Sequence, residues 1–116
     1  MSPTPRFIQG VFSFEGKGFD VPVSLGAAAK YAVPADKRAQ LIYVRIGNSA
    51  PELVSLALLR DGKLMRYFPI GAKAAEHVSL AVVEDLFPET KLELCVIAPK
   101  GTAGNVVVDL GLYEID

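Results

Sequence analysis

The sequence predicts an all-β protein, an antiparallel β-sandwich of jelly-roll or immunoglobulin-like type, and three observations support that prediction. Apolar residues recur with a period of two along most of the chain, as in strands that bury one face. Turn-forming segments rich in Gly, Pro, Asn and Asp separate the apolar runs at near-regular spacing. The two segments with helical composition are short. Together these features indicate about eight short strands in a single domain.

The clearest alternation lies in the first and last predicted strands. In "RFIQGVFSF" the first face carries Ile8, Phe12 and Phe14, and the second carries Phe7 and Val11. In "NVVVDLGLYEI" the two faces are Val106, Val108, Leu110 and Leu112 against Val107, Asp109, Gly111 and Tyr113. The runs between them are "DVPVSL", "QLIYVRIG", "ELVSLALLR", "KLMRYFPI", "EHVSL" and "TKLELCVIA". Their β-branched and aromatic residues favour strands.

The remaining segments are expected to be turns, two possible helices and a tail. The turns are "EGKG", "VPADK", "GNSAP", "RDG", "FPET" and "APKGTAGN". "SLGAAAKYA" (24 to 32) contains good helix formers but ends before Pro34, and "LAVVEDLF" (80 to 87) has room for a single helical turn. Residues 1–5, with Pro3 and Pro5, are predicted to form a flexible tail, which leaves 6–116 as the β-sandwich domain.

The composition narrows the classes of protein and partner. The chain has 116 residues, 51% of them hydrophobic, so it is long enough to bury a core without disulfides. Lys and Arg number 12 against 13 Asp and Glu, which argues against a nucleic-acid partner held by phosphate contacts. No apolar run approaches the roughly 20 residues that a membrane span needs, and the N-terminus has no signal-peptide pattern. We therefore expect a cytoplasmic protein without a membrane partner, in which the single cysteine, Cys95, is a buried apolar residue.

The stretch "LALLRDGKLMRYFPIG" (56 to 71) predicts a hairpin. Asp61 and Gly62 between two apolar runs favour a two-residue type I′ turn, in which both central residues adopt positive φ. Arg60 would then face Lys63. Counting outwards gives the predicted pairs Leu59–Leu64, Leu58–Met65, Ala57–Arg66, Leu56–Tyr67 and Ser55–Phe68.

Both faces of this hairpin are largely apolar, so each needs cover. A loop of the same chain or the possible helix would suffice, but a second copy of the chain would also bury such a face. We favour a homo-oligomer formed through sheet faces. The candidate interface residues are Leu58, Leu59, Leu64, Met65 and Phe68.

The same hairpin supplies the candidate ligand-binding residues, a set of cations with a neighbouring aromatic: Arg60, Lys63, Arg66 and Tyr67. This set would suit a small anionic ligand or a sugar. The alternative is that Arg60 and Lys63 are ordinary solvated charges that discourage aggregation of an edge strand. Arg66 lies among apolar residues and needs a partner, for which we expect Asp109 in the last strand.

Catalytic motifs are absent from the sequence. The single histidine, His77, excludes a metal site built on several imidazoles of one chain, and no calcium-loop pattern is present. No nucleophile elbow, phosphate-binding loop or dinucleotide fingerprint occurs. We therefore expect no catalytic residues, no metal and no cofactor.

Two function classes follow from these observations, and an enzyme ranks behind both. The first is a non-enzymatic interaction or assembly protein that forms a homo-oligomer through its sheet faces. The second is a β-sandwich module that binds a small ligand or a carbohydrate. The predicted loops are short and most apolar residues lie in strands, which favours assembly as the main interpretation.

Overall fold

The chain folds into two antiparallel sheets packed face to face. The structure, a computed structural model, describes residues 3–80 and 84–116. Within these residues the strands are β1 (Thr4–Glu15), β2 (Gly18–Ser24), β3 (Lys30–Ala32), β4 (Arg38–Asn48), β5 (Val54–Arg60), β6 (Lys63–Ile70), β7 (Ala75–Ser79), β8 (Asp85–Leu86), β9 (Lys91–Ala98) and β10 (Ala103–Ile115). The predicted antiparallel β-sandwich is confirmed.

The first sheet has the strand order β1-β10-β4-β7. The short strand β8 pairs with the N-terminal end of β4, at Ala39 and Gln40. The second sheet has the order β2-β9-β5-β6, and β3 also pairs with β9. The pairing of β1 with β10 runs without interruption from Thr4 opposite Glu114 to Glu15 opposite Ala103. Because the two longest strands lie side by side next to β4, the first sheet offers a long, continuous outer face.

The core lies between the two sheets and consists of their inward-facing aliphatic and aromatic side chains. The largest fully buried members are Leu41, Leu56, Leu58, Ile70, Leu86, Leu92, Leu94 and Leu110. In β1 the alternation is as predicted, since Ile8, Phe12 and Phe14 are buried while Phe7 and Val11 are exposed. The predicted inner set of β10 is likewise buried: Val106, Val108, Leu110 and Leu112.

The two segments with helical composition contribute mainly to the sheets. The first contains one 3₁₀ turn, Ala27–Ala29, followed at once by β3. The second includes residues 81–83, which lie outside the described part of the chain, and its remainder contains β8. These two short strands bring the described total to ten, where the sequence predicts about eight. β1 begins at Thr4, so the strand includes two residues of the predicted tail.

The β5–β6 hairpin has the predicted turn but a different register beyond it. Asp61 and Gly62 have φ values of 51° and 82°, as a type I′ turn requires. Arg60 pairs with Lys63 and Leu59 with Leu64, as predicted, but a β-bulge then shifts the register so that Leu58 faces Arg66. The predicted Leu58–Met65 pair and those beyond it are therefore wrong.

The bulge exchanges the faces of two aromatic residues. Phe68 pairs with Leu56 and is buried in the core, while Tyr67 pairs with Ala57 and is exposed. A bulge inserts one extra residue into one strand and so reverses the alternation of everything after it. Period-two counting from the turn cannot detect such an insertion.

The outer face of the second sheet is covered in part by the chain itself. Ala57, Cys95 and Ile97 form a small cluster there, each at most 6% exposed, with Leu59 packed against it. These positions therefore need no second copy of the chain to bury them. A homo-oligomer through this face remains a prediction.

Candidate ligand-binding site

The predicted ligand-binding residues at the hairpin tip divide between two clefts. Arg60 and Lys63 line one cleft with Glu84, whereas Arg66 and Tyr67 line another between β6 and β7. Arg60 Nη1 lies 3.7 Å from Glu84 Oε2, and Arg66 Nη2 lies 3.0 Å from Glu84 Oε1. An anionic ligand would have to displace this carboxylate from both arginines, so the cluster is poorly suited to bind one.

The predicted ion pair between Arg66 and Asp109 does not form. Arg66 belongs to β6 of the second sheet, and Asp109 to β10 in the first. Asp109 has a partner on its own sheet, because Gln9 Nε2 donates a hydrogen bond to Asp109 Oδ1 at 3.0 Å. The prediction was wrong because it treated two polar residues in apolar surroundings as partners without knowing which strands are neighbours.

The predicted interface residues also separate. Leu58 is fully buried and Phe68 is 4% exposed, so both belong to the core and are excluded from any interface. Leu64 is 47% exposed, and Leu59 and Met65 are half-buried. These three remain available for contact with another molecule.

A different surface, the outer face of the first sheet, combines exposed apolar residues with a polar cluster. Phe7, Val11, Val107 and Tyr113 all lie on it with exposed fractions between 41% and 67%. Val11 and Val107 are directly paired across β1 and β10. Large exposed apolar residues gathered on one face of a small domain usually mark a contact surface.

Tyr43 and Asp109 form the centre of this face. Tyr43 Oη donates a hydrogen bond to Asp109 Oδ1 at 3.0 Å, the same oxygen that accepts from Gln9. The pKa of Tyr43 is raised by burial and by its hydrogen bond to the Asp109 carboxylate, so its hydroxyl remains a donor at neutral pH. Among the described residues no hydrogen bond reaches Asp109 Oδ2, which leaves that oxygen free to accept one.

The ring of Tyr43 also contacts two neighbouring side chains on the same face, Arg45 and His77. The Arg45 guanidinium carbon lies 5.3 Å from the Tyr43 ring centroid, a cation–π geometry. The His77 ring meets the same aromatic edge to face, with centroids 6.0 Å apart and an interplanar angle of 83°. Arg45 and His77 are cross-strand partners on β4 and β7. The two contacts hold the Tyr43 ring against the outer face of the first sheet.

Two adjoining clefts run over this face. The first, which we call the aromatic cleft, has a volume of about 140 Å³, and the rings that line it belong to Phe7, Tyr43 and Tyr113. The second, which we call the polar cleft after its three outward polar side chains, Arg45, His77 and Asp109, has a volume of about 540 Å³. The rest of its lining is mostly apolar and includes Ile46, Gly47, Ala75 and Val107. The hydrogen bond from Tyr43 to Asp109 joins the two clefts.

This site was missed at the level of sequence because it is assembled from three strands that are distant in the chain. β1, β4 and β10 contribute Phe7, Tyr43 and Asp109 respectively. One local signal was present. A glycine inside an alternating strand, Gly111, indicates that another group approaches the backbone closely, and here that group is the ring of Tyr43.

Other reactive groups give no indication of chemistry in the described structure. Burial raises the pKa of the Cys95 thiol to about 11, with the nearby Glu93 carboxylate acting in the same direction, so the thiolate is scarce at neutral pH. Across residues 3–80 and 84–116, no three His, Cys, Asp or Glu side chains are gathered closely enough to hold a metal ion. No helix in that part of the chain is both long and apolar enough to cross a membrane.

Comparison with known proteins finds likeness in structure only. No protein-family model and no curated protein matches the sequence. The CBM36-1 domain of a multidomain xylanase, from the hindgut metagenome of Trinervitermes trinervoides, is 12% identical with a TM-score of 0.58, over 95% of this chain and 96% of that one. A family 35 carbohydrate-binding module from Clostridium thermocellum is 10% identical with a TM-score of 0.54, over 94% and 97%.

A third similar structure is the insecticidal delta-endotoxin Cry8Ea1 from Bacillus thuringiensis. It is 12% identical with a TM-score of 0.52, and the match covers 91% of this chain but 20% of the toxin. At such low identity the three matches establish the fold alone, that of the β-sandwich domains found in these proteins.

Proposed function

We propose that this protein is a non-enzymatic carbohydrate-binding module and that it binds its ligand on the outer face of the first sheet. The observation that supports this most directly is the placement of exposed aromatic rings beside a fixed polar cluster on one face. Sugar rings present apolar C–H faces and a rim of hydroxyl groups, so they need both kinds of contact within a few ångströms.

The aromatic cleft suits the apolar side of a sugar ring. Phe7 and Tyr113 are 55% and 41% exposed and border the same depression as Tyr43. Aromatic side chains offer a large, rigid contact area with little loss of conformational entropy on binding. A ligand that stacks on these exposed rings removes their apolar surface from water, which favours binding.

The polar cleft suits the hydroxyl rim. In the cleft Asp109 accepts hydrogen bonds and Arg45 donates them, and the amide of Gln9, bonded to Asp109 beside the cleft, can do both. The set therefore matches a group that also donates and accepts. Pre-existing contacts hold Tyr43 and Asp109 in place, which reduces the ordering that binding requires. The structural likeness to carbohydrate-binding modules supports the same proposal at the level of fold.

The experiment is electrophoresis in native gels that contain soluble polysaccharides, with alanine variants of the two exposed rings. We expect wild-type protein to be retarded by at least one polysaccharide, and Phe7→Ala and Tyr113→Ala each to weaken binding roughly tenfold, equivalent to about 1.4 kcal/mol. Matched controls come from the second sheet, where Phe19 and Tyr67 are 48% and 56% exposed. Equal losses in Phe19→Ala and Tyr67→Ala, or no retardation by any polysaccharide, would overturn the proposal.

A second candidate is self-assembly through the same face, favoured by its apolar Val11–Val107 pair. The two residues are 67% and 53% exposed, and a second copy would remove them from water. Sedimentation over a wide concentration range separates the candidates. A dimer that Val11→Glu dissociates would support assembly, whereas a monomer at every concentration would exclude it.

A further inference from the structure

We infer that the ligand of this face is the interior of a neutral glycan chain that lies along β10, an inference that rests on the proposed function. The first reason is the length of the face. Tyr113, Gly111, Asp109, Val107 and Asn105 are successive outward positions of β10. At about 3.4 Å per residue they span roughly 27 Å, several times the width of one sugar ring.

The second reason is that hydrogen-bonded polar rows alternate with apolar rows along this length. The polar pairs are Gln9 with Asp109 at 3.0 Å and Ser13 with Asn105 at 2.9 Å. The row at the other end is mixed, since Gln40 and Asp85, joined at 2.8 Å, share it with Tyr113. Between these rows lie the row of Phe7 and Tyr43 and the row of Val11 and Val107. A polymer with repeating ring faces and hydroxyl groups meets both kinds of row, whereas a single sugar meets one or two.

The third reason concerns charge. On the outer face the polar cleft holds one carboxylate, Asp109, and one guanidinium, Arg45, because Glu76 pairs with the buried Ile46 and so points to the other side of the sheet. The two charges balance, so the cleft offers no surplus of positive charge to a glycan that carries uronic acid or sulfate groups. A neutral chain needs no such surplus.

The arrangement of Arg45 and Asp109 also suits a neutral diol. They are cross-strand partners, yet no ion pair joins them within the described residues, because the guanidinium lies over Tyr43. Asp109 Oδ2 therefore keeps an open acceptor position beside the Arg45 donors. Two neighbouring hydroxyl groups of one sugar would fit here, one donating to the carboxylate and the other accepting from the guanidinium.

The test uses the intact protein and two sets of probes. The first set compares neutral arabinoxylan and neutral β-glucan with polygalacturonate in affinity gels. The second measures by calorimetry a series of neutral oligosaccharides from the disaccharide to the hexasaccharide, cut from whichever neutral polymer binds. We expect a neutral polymer to bind better than polygalacturonate, and affinity to rise at least about tenfold along the series. Chemical reduction of the end sugar should change the hexasaccharide affinity by less than about twofold, since an interior segment is bound.

One variant tests the role of charge. Asp109→Asn leaves the Arg45 charge unopposed in the polar cleft, so it should narrow the preference for the neutral polymer over polygalacturonate. An unchanged preference would overturn the charge argument. Preferential binding of polygalacturonate, or equal affinity for disaccharide and hexasaccharide, would overturn the inference while leaving the proposed function intact. Failure to bind any glycan would overturn the proposed function and this inference with it.

Discussion

Gly111 lies directly under the ring of Tyr43, its cross-strand partner. A Cβ placed on Gly111 would stand 2.1 Å from Tyr43 Cε2, closer than real contacts allow. The absence of a side chain at Gly111 therefore permits the ring to lie against the sheet, where its hydroxyl reaches Asp109 at 3.0 Å. A glycine on β10 thus determines the position of an aromatic ring on β4.

This relationship predicts that Gly111→Ala is destabilising. The added methyl must displace the Tyr43 ring and break its hydrogen bond, which costs about 1–3 kcal/mol. Gly47→Ala is the matched control on the same face, because a Cβ there would meet Val107 Cβ at an ordinary 3.7 Å. Urea unfolding midpoints and the near-ultraviolet tyrosine spectrum should change in Gly111→Ala alone. Equal midpoints for the two variants would contradict the packing described.

The faces of the longest strands followed from the sequence, because each strand keeps its alternation from end to end. In β10, for example, Val108 is buried and Val107 exposed, as the pattern predicts. The turn at Asp61 and Gly62 was also predictable, since few residue pairs tolerate positive φ at both positions. Local chemistry therefore determines which face is inward and where the tightest turn lies.

The candidate site could not be predicted in the same way. Tyr43 and Asp109 are 66 positions apart in the chain, and nothing local shows that β4 and β10 are neighbours. The Leu58–Met65 pairing failed for a related reason, because a bulge leaves no mark on a pattern in which both faces of the hairpin are apolar. Sequence reasoning thus placed side chains on faces but did not identify which strands meet.

A buried carboxylate gives a prediction about alkaline pH. Glu114, 3% exposed, accepts a hydrogen bond from Tyr31 Oη at 2.5 Å and pairs with Arg6 Nε at 3.2 Å. Burial raises the pKa of Tyr31, and the hydrogen bond to Glu114 raises it further. Because the hydroxyl must remain protonated in the folded state, its stabilising contribution is complete below about pH 10 and declines as the pH rises above that value.

Tyr31→Phe should therefore lower the free energy of unfolding by about 1–3 kcal/mol at pH 7. The difference between wild type and variant should shrink between roughly pH 10 and pH 12, because the variant has no phenol to ionise there. Denaturant titrations at three pH values measure this difference. A difference that is constant or grows with pH would show that Tyr31 is not the titrating group.

The turn of the β5–β6 hairpin gives a third prediction. Gly62, at φ 82°, should not tolerate a β-branched residue, so Gly62→Val is expected to cost on the order of 1–2 kcal/mol. Asp61→Asn should be nearly neutral, because Asn suits positive φ and its amide oxygen can replace Asp61 Oδ1 as the acceptor for Lys91 N. Chemical denaturation midpoints decide the matter. Equal damage from the two substitutions would mean that the turn geometry is not the source of the effect.

The last prediction separates the core from the surface of the same hairpin. Leu58 is fully buried, so Leu58→Glu places a carboxylate among apolar side chains and should abolish soluble folded protein. Leu64 is 47% exposed, so the charge in Leu64→Glu remains in water and the fold should persist, as circular dichroism would show. Light scattering on wild type and Leu64→Glu adds the solution mass: a folded variant with a lower mass than wild type would place Leu64 in a subunit interface. Equal monomeric masses would instead exclude the hairpin from assembly, and loss of folding in Leu64→Glu would contradict its exposure.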